Sequence, residues 1–263
     1  MTDVEFPTSL GTSQADRITL LGHDLTSELV GQVSFGELAF WLVALRRPTP
    51  DELRVFEAVL VALADHGYTP SALAARLTYT GAPESVQGAV AAGLLGGGSR
   101  FLGVTEDCAA FLAEALSWVA PQVPASDAEY DELARRAIRA ARERGSYVPG
   151  LGHPVHKDGD PRTPVIIRLA DEAGLRGPHL RLFEAVGRVA PDELGRRLPL
   201  NGAGVCGAAL ADLGLPLETL RGFALLARTA GLVGHLAEEM RRPIGMQVYE
   251  VVDRNAVYVP PED

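Results

Sequence analysis

Tyr147-Val148-Pro149-Gly150-Leu151-Gly152-His153-Pro154-Val155-His156-Lys157-Asp158-Gly159-Asp160-Pro161-Arg162 is the run on which the reading of this 263-residue chain turns. Gly150 and Gly152 open backbone conformations closed to other residues and let a ligand approach the chain. Pro149, Pro154 and Pro161 fix φ and withhold donors, so no regular helix crosses the segment. Asp160 before Pro161 reads as the N-cap of a following helix. A solvated connector with two surface histidines is the plain alternative. A rigid, polar loop is more often a home for binding residues, and His153 sits between glycine and proline and not on a polar helical face.

Outward from this run, helical punctuation dominates. Ser34-Phe35-Gly36-Glu37 and Ser126-Asp127-Ala128-Glu129 have capping-box spacing. Thr49-Pro50 opens a helix with Leu53, Phe56, Val59, Leu60 and Leu63 on one face, stopped at Gly67. Helices are expected from Thr69, Pro83 and Thr105, the last two parted by Gly96-Gly97-Gly98. Beyond the focal loop, further helices are expected over 163–173, from Pro178, from Pro191, over 201–213 and over 217–240. Residues 1–17 read as polar and loosely held, 18–33 as a small hairpin-like element, and the tail from Pro243 as β-rich or extended. The fold class is therefore all-α: a large helical domain (18–120 and 201–263), a smaller helical subdomain (121–200) and a short extended tail.

A hydrophobic share of 47% supplies a sizeable core, and a formal net charge of −10 argues against a nucleic-acid partner. Cys108 and Cys206 are isolated and read as buried free thiols. No signal segment and no membrane-length apolar run is apparent, so the expected location is cytoplasmic, with no membrane partner. His153-x-x-His156 is too sparse for a metal pair, so no metal is expected. Gly96-Gly97-Gly98 lacks the Lys-Ser or Lys-Thr of a phosphate loop, which argues against ATP use.

Four motifs, in order, carry a resemblance. GLGHPVHKDGDPRT at 150–163 resembles the Gly-x-Gly-His-x-Val-x-Lys…Asp-Pro-Arg loop of the citrate synthase superfamily. ADHG (64–67) resembles its earlier histidine motif, LPLNGAGVCGAALADLGLP (198–216) its aspartate-bearing helix start, and LLARTAGLVGHLAEEMRRP (225–243) its arginine and histidine stretch. The short length is similar to the free-standing citryl-CoA lyase type and to the C-terminal part of ATP-citrate lyase. The resemblance implies a dimer or higher homo-oligomer with its site in a cleft between two helical domains. It implies an acyl-CoA and a dicarboxylate or tricarboxylate as ligands, with no cofactor beyond the coenzyme A moiety of the substrate.

By motif position, His153 and His66 would be catalytic and Arg228 a carboxylate ligand. CoA would lie along Val148, Gly150, Leu151 and Gly152, with Lys157 or Arg162 on its phosphates. Unaided by the resemblance, His66 reads as a helix C-terminal partner. Arg228, in an apolar helix, needs either a structural acid or a bound carboxylate. His235, seven residues on, shares its face and would touch substrate or stand one layer behind it. Arg242 reads as a solvated helix end or, on the resemblance, a substrate ligand.

Three positions depart from the family pattern. Ala203 stands where the family has its catalytic aspartate, Phe101 where citrate synthase has a histidine, and Pro154 where many relatives carry Arg or Ala. Alanine cannot move a proton, which disfavours condensation; cleavage asks less. The reading is a CoA-thioester carbon–carbon lyase of the citryl-CoA lyase type, with His153 in the acid/base role, or a lyase for another β-hydroxyacyl-CoA. The alternatives are a non-catalytic acyl-CoA-binding protein and a citrate synthase-type acyltransferase.

Overall fold

The computed structural model describes residues 5–261. A small antiparallel meander, β1 (Gly11–Ser13), β2 (Ile18–Leu20) and β3 (His23–Asp24), precedes a π-helical turn at Leu25–Leu29. Gly11 pairs with Leu20 and Thr19 with Asp24. The Asp24 carboxylate caps the turn by accepting from the N–H groups of Thr26 and Ser27. Residues 1–17, expected to be loose, thus contribute a paired strand at Gly11–Ser13; Met1–Val4 lie outside the described residues.

The rest is helical: α1 (Phe35–Ala44), α2 (Pro50–Ala64), α3 (Pro70–Gly81), α4 (Val86–Leu95), α5 (Val104–Ser117), α6 (Asp127–Glu143), α7 (Arg162–Glu172), α8 (Pro178–Leu194), α9 (Gly202–Asp212), α10 (Leu220–Arg241) and α11 (Gly245–Arg254). Side chains begin these helices as their chemistry requires. Thr49–Glu52 and Ser126–Glu129 form reciprocal capping boxes, and Ser34, Thr69 and Asn201 each accept an N–H of the first turn.

Two expectations fail. Pro191 begins no helix; it lies in the last turn of α8, three residues before its end, where the lost N–H bond ends little further helix. The tail is not extended after Pro243, for α11 occupies Gly245–Arg254. Val248, Tyr249, Val251 and Val252 are β-formers by type but fall at helical spacing. The Glu239 carboxylate fixes the start of α11 by accepting from the N–H groups of Ile244 and Gly245, at 2.9 and 2.7 Å.

One apolar core runs from α1 and α2 through α5, α6, α8 and α9 into α10, and side chains of 121–200 such as Tyr130, Phe183 and Val186 belong to it. Phe56 meets Phe40 and Phe223 edge-on at 5.4 and 5.0 Å. Small residues let α9 lie against its neighbours. Gly207 abuts the Thr105 carbonyl of α5, and Gly204 abuts the Gly150 backbone of the focal loop. A second, smaller cluster joins α3, α4 and α10 through Ala75, Ala89, Leu232 and Leu236.

Gly207→Ala tests the α5–α9 contact, because its new methyl would collide with the Thr105 carbonyl oxygen. Overpacking of this kind costs about 1–3 kcal/mol. The urea midpoint should fall accordingly; a midpoint equal to the parent's would show that the two helices do not meet there.

Candidate active site

The focal loop is stitched to the start of α9. Gly152 N–H donates to the Pro199 carbonyl (2.7 Å), Asn201 N–H to the Gly150 carbonyl (2.9 Å) and Asn201 Nδ2 to the Gly152 carbonyl (2.9 Å). Gly150 and Gly152 take φ of +85° and +82°, the left-handed region that glycine alone enters freely. A Cβ on Gly150 would stand 2.8 Å from both Cys108 Sγ and a Phe183 ring carbon. Glycine is thus required there twice, for its dihedral and for the close approach.

Asp160 anchors the other end. Its side chain is fully buried and forks with Arg162, through Nε at 3.0 Å and Nη2 at 2.8 Å, while accepting from Gly202 N–H at 2.7 Å. Burial alone would raise its pKa, but the Arg162 guanidinium and the donated N–H groups outweigh it and hold the carboxyl far below the usual range. Arg162 also donates to the Ala62 carbonyl of α2, at 3.1 Å. The side chain expected to take CoA phosphates thus has all three nitrogens committed, to the Asp160 carboxylate and the Ala62 carbonyl. Lys157 donates to the His153 carbonyl at 3.0 Å and does not line the cleft.

The cleft has a volume of about 960 Å³. The loop forms one wall, α2's end with His66 another, and Arg228 of α10 part of its depth. His66, His153 and His156 converge there: His66 Nε2 lies 3.1 Å from His156 Nε2, and the His153 and His156 rings stack 4.4 Å apart. His153 Nδ1 accepts from the backbone N–H of Val155 (3.1 Å) and of His156 (3.0 Å). A neutral His153 therefore carries its proton on Nε2. Three imidazoles at this spacing could hold a metal ion. Yet a His153 whose Nδ1 is an acceptor has no lone pair to offer at Nε2 unless it loses its last proton, so the set fits proton sharing better than ligation.

The His153 pKa is lowered to about 4 by burial, with His156, His66 and Arg162 adding to the effect and Asp160 opposing it. His66 is lowered by the same burial and by Arg162 and His156. Both are neutral at ordinary pH, so each ring has one N–H donor and one lone pair.

Arg228 is 4% exposed, yet its Nε and Nη1 have no hydrogen-bond partner, and its nearest acid, Asp65, stands at 3.6 Å. Burial lowers its pKa, with Asp65 opposing and Arg162 reinforcing. Buried, unpaired guanidinium donors are costly unless a ligand supplies the anion.

His235 does not line the cleft. Its Nδ1 accepts from Arg76 Nε (3.1 Å), so its Nε2 donates to Asp65 Oδ1 (2.8 Å). It stands one layer behind, where it fixes Asp65. Arg76, fully buried, is tied to Glu239 at 2.8 Å and to Glu238. Arg242 is exposed and does not line the cleft. Val148, Gly150, Leu151, Gly152, His153, His66, Arg162 and Arg228 do line it, with Ala203, Phe101 and Asp107. Reading for motifs overlooked Asp65, Arg76 and Asp107. An arginine amid the apolar residues of α3 was the available signal for Arg76, and its place beside His66 the signal for Asp65.

A helical fold with a glycine loop, paired neutral imidazoles and a waiting guanidinium defines the class of helical enzymes built like citrate synthase. The family profile described as "Citrate synthase, C-terminal domain" matches residues 13–246, and the chain belongs to the citrate synthase family. It is similar to the "Probable ATP-citrate synthase" of Dictyostelium discoideum, 23% identical over 95% of this chain but only 41% of that protein. "Putative citrate synthase 2" of Mycobacterium tuberculosis is 27% identical over 81% of this chain and 53% of that protein. The chain thus spans about half or less of these curated relatives. Among solved structures, citryl-CoA lyase from Hydrogenobacter thermophilus superposes with a TM-score of 0.83, at 29% identity over 98% of this chain and 96% of that one. ATP citrate lyase from Methanothrix soehngenii, solved with citrate and coenzyme A, shares the fold (TM-score 0.78, 21% identity, 100% of this chain and 43% of that one).

Nitrogen-15 NMR of the imidazoles should find His153 in its Nε2–H tautomer, titrating near pH 4. A midpoint near the unperturbed value of about 6.5 would show an open, solvated ring in place of the enclosed one.

Proposed function

We propose that this protein cleaves citryl-CoA to oxaloacetate and acetyl-CoA. The observation that carries the reading is Arg228, a buried arginine that lines the cleft with His66 and His153 and whose Nε and Nη1 find no hydrogen-bond partner within the protein. Likeness to the Hydrogenobacter citryl-CoA lyase along almost the full length of both chains supports the same reaction.

A citryl carboxylate pairs with the Arg228 guanidinium, whose full charge makes the contact a charge-assisted one. CoA runs along Val148–Gly152, where the absence of Cβ on two glycines admits it. Arg100, exposed at the cleft's mouth, replaces Arg162 as the cation for its phosphates. The His153 tautomer assigns that ring the role of donor. Its Nε2–H holds the carbinol oxygen as an alkoxide develops, and the hydrogen-bonded His66–His156 pair, which keeps a further ring nitrogen lone pair, takes the hydroxyl proton. Collapse of the alkoxide to a ketone breaks the carbon–carbon bond and releases the thioester enolate. The enolate carbon then needs a proton, which Ala203 cannot supply.

We further infer a homodimer or higher homo-oligomer, since α11 and the residues after it expose Met246, Tyr249, Val252, Val257 and Tyr258. Buried free Cys108 and Cys206 fit a reducing, cytoplasmic setting. Among the described residues no helix is long and apolar enough to cross a membrane.

A second reading rests on Ala203 and Phe101 together: an acyl-CoA-binding protein without turnover, which would bind CoA in a calorimeter and cleave no thioester. The decisive assay follows oxaloacetate and acetyl-CoA from citryl-CoA. Arg228→Gln should lower kcat/KM about 10- to 100-fold, the loss of one charged hydrogen-bonding site. Parent activity no greater than that of His153→Ala would remove the lyase reading.

A further inference from the structure

Cleavage leaves an enolate whose carbon must gain a proton, and Ala203 cannot give one. Among the described residues lining the cleft, Asp107 is the one carboxylate. It lies in the first turns of α5, next to Cys108, whose Sγ packs on Gly150 of the CoA-facing loop. The same Gly150 meets the Gly204 backbone, one residue past Ala203. Asp107 and Ala203 therefore flank one contact, from α5 and α9, on the wall of one cleft. Its partner Arg221 (Nη2 to Oδ1, 3.4 Å) lies seven residues before Arg228 on α10. That spacing is two helical turns, about 10 Å, which sets Asp107 away from the carboxylate anchor and towards the thioester end.

Resting on the citryl-CoA reading, we propose that Asp107 is the catalytic acid that protonates the acetyl carbon, in place of the acid missing at position 203. The carbinol O–H proton goes to the His66–His156 pair, the carbon–carbon pair becomes the enolate, and the protonated Asp107 carboxyl gives its proton to that carbon. The methyl of acetyl-CoA forms, Asp107 is left ionised, and the proton held by the imidazoles returns to it through solvent. One proton is taken and one given, so the cleavage needs no co-reactant.

The charge environment suits an acid. Burial raises the Asp107 pKa and Glu106 adds to the rise, while Arg221 opposes both. Arg100, Arg162 and Arg228 also line the cleft, Arg162 being already committed to Asp160. A thioester seated over the 39%-exposed carboxyl removes its remaining water and raises it further. A plain helix-start acid paired with Arg221 is the competing role, and the two roles part in experiment.

Asp107→Asn should lower kcat for citryl-CoA by about 10²- to 10⁴-fold with KM little changed, and Asp107→Glu should restore part of it. In heavy water with oxaloacetate, deuterium entry into the acetyl-CoA methyl should be lost in Asp107→Asn. The kcat of the parent should fall as pH rises through the Asp107 pKa, and Arg221→Met should move that limb upward, since it removes the one group holding the pKa down. Asp107→Asn cleaving as fast as the parent would overturn the proposal and leave the lyase reading standing. Equal loss of kcat in Asp107→Asn and Arg221→Met, with no shift of the limb, would assign Asp107 a structural pair only. A parent that does not cleave citryl-CoA would remove both readings together.

Discussion

The buried Asp160–Arg162 pair is the constraint on which the site depends. Two charges withdrawn from water are stabilising only if every remaining donor and lone pair is met. Here they are met by four separate pieces of chain: the loop that bears Asp160, the first turn of α7, the Gly202 N–H at the start of α9 and the Ala62 carbonyl at the end of α2. Removing either partner would leave an uncompensated buried charge, so the four pieces hold one geometry or none. Gly202 has no Cβ because the Arg162 guanidinium occupies that space. His153, His66 and Ala203 each lie within a few residues of this knot, which is why their mutual placement needs no further device.

A second buried network does for α10 what the first does for the loop. Arg76 binds Glu238, Glu239 and His235; His235 then binds Asp65; and Asp65 accepts from Gly67 N–H at 2.8 Å while standing 3.6 Å from Arg228. Asp65 is too far from Arg228 for a good hydrogen bond but near enough to offset part of its charge. The guanidinium is thus held in place without being satisfied. Its two idle donors set it apart from Arg76 and Arg162, whose donors are committed within the protein.

Much of this was legible in the residues. Capping boxes, Pro at first helical turns and Gly at stops reported most helix starts, because those signals are local and their partners lie three or four residues away. The loop was legible for the same reason: a proline or a left-handed glycine constrains the chain by itself. Failures came where the deciding atom was distant in sequence. Glu239 starts α11 from outside it, and the β-forming residue types of Gly245–Arg254 mask their helical spacing. His235 could be read as touching substrate or standing behind it, and the atoms that decide between the two, on Arg76 and Asp65, are far away in sequence. The His153 tautomer is set by two backbone N–H groups of its own loop, and no residue type encodes that. Asp107 went unread because an acid near a helix start has an ordinary explanation in the helix dipole.

The electrostatics of the cleft bear on its basicity. Arg162 and Arg228 both act to keep imidazoles neutral: Arg162 lowers His153 and His66, and Arg228 lowers His66. A carboxylate docked on Arg228 would cancel that influence and place a negative charge beside the same rings. Their basicity would rise only with the anion in place, since an opposite charge within about 4–6 Å favours the protonated form. Lone pairs that are weak bases in the unliganded protein thus become stronger ones at the moment a hydroxyl proton must be taken. The same anion would remove the cost of burying unpaired Arg228 donors. On the proposed reading, binding and activation would be a single electrostatic event, and a neutral ligand of the same shape would gain neither.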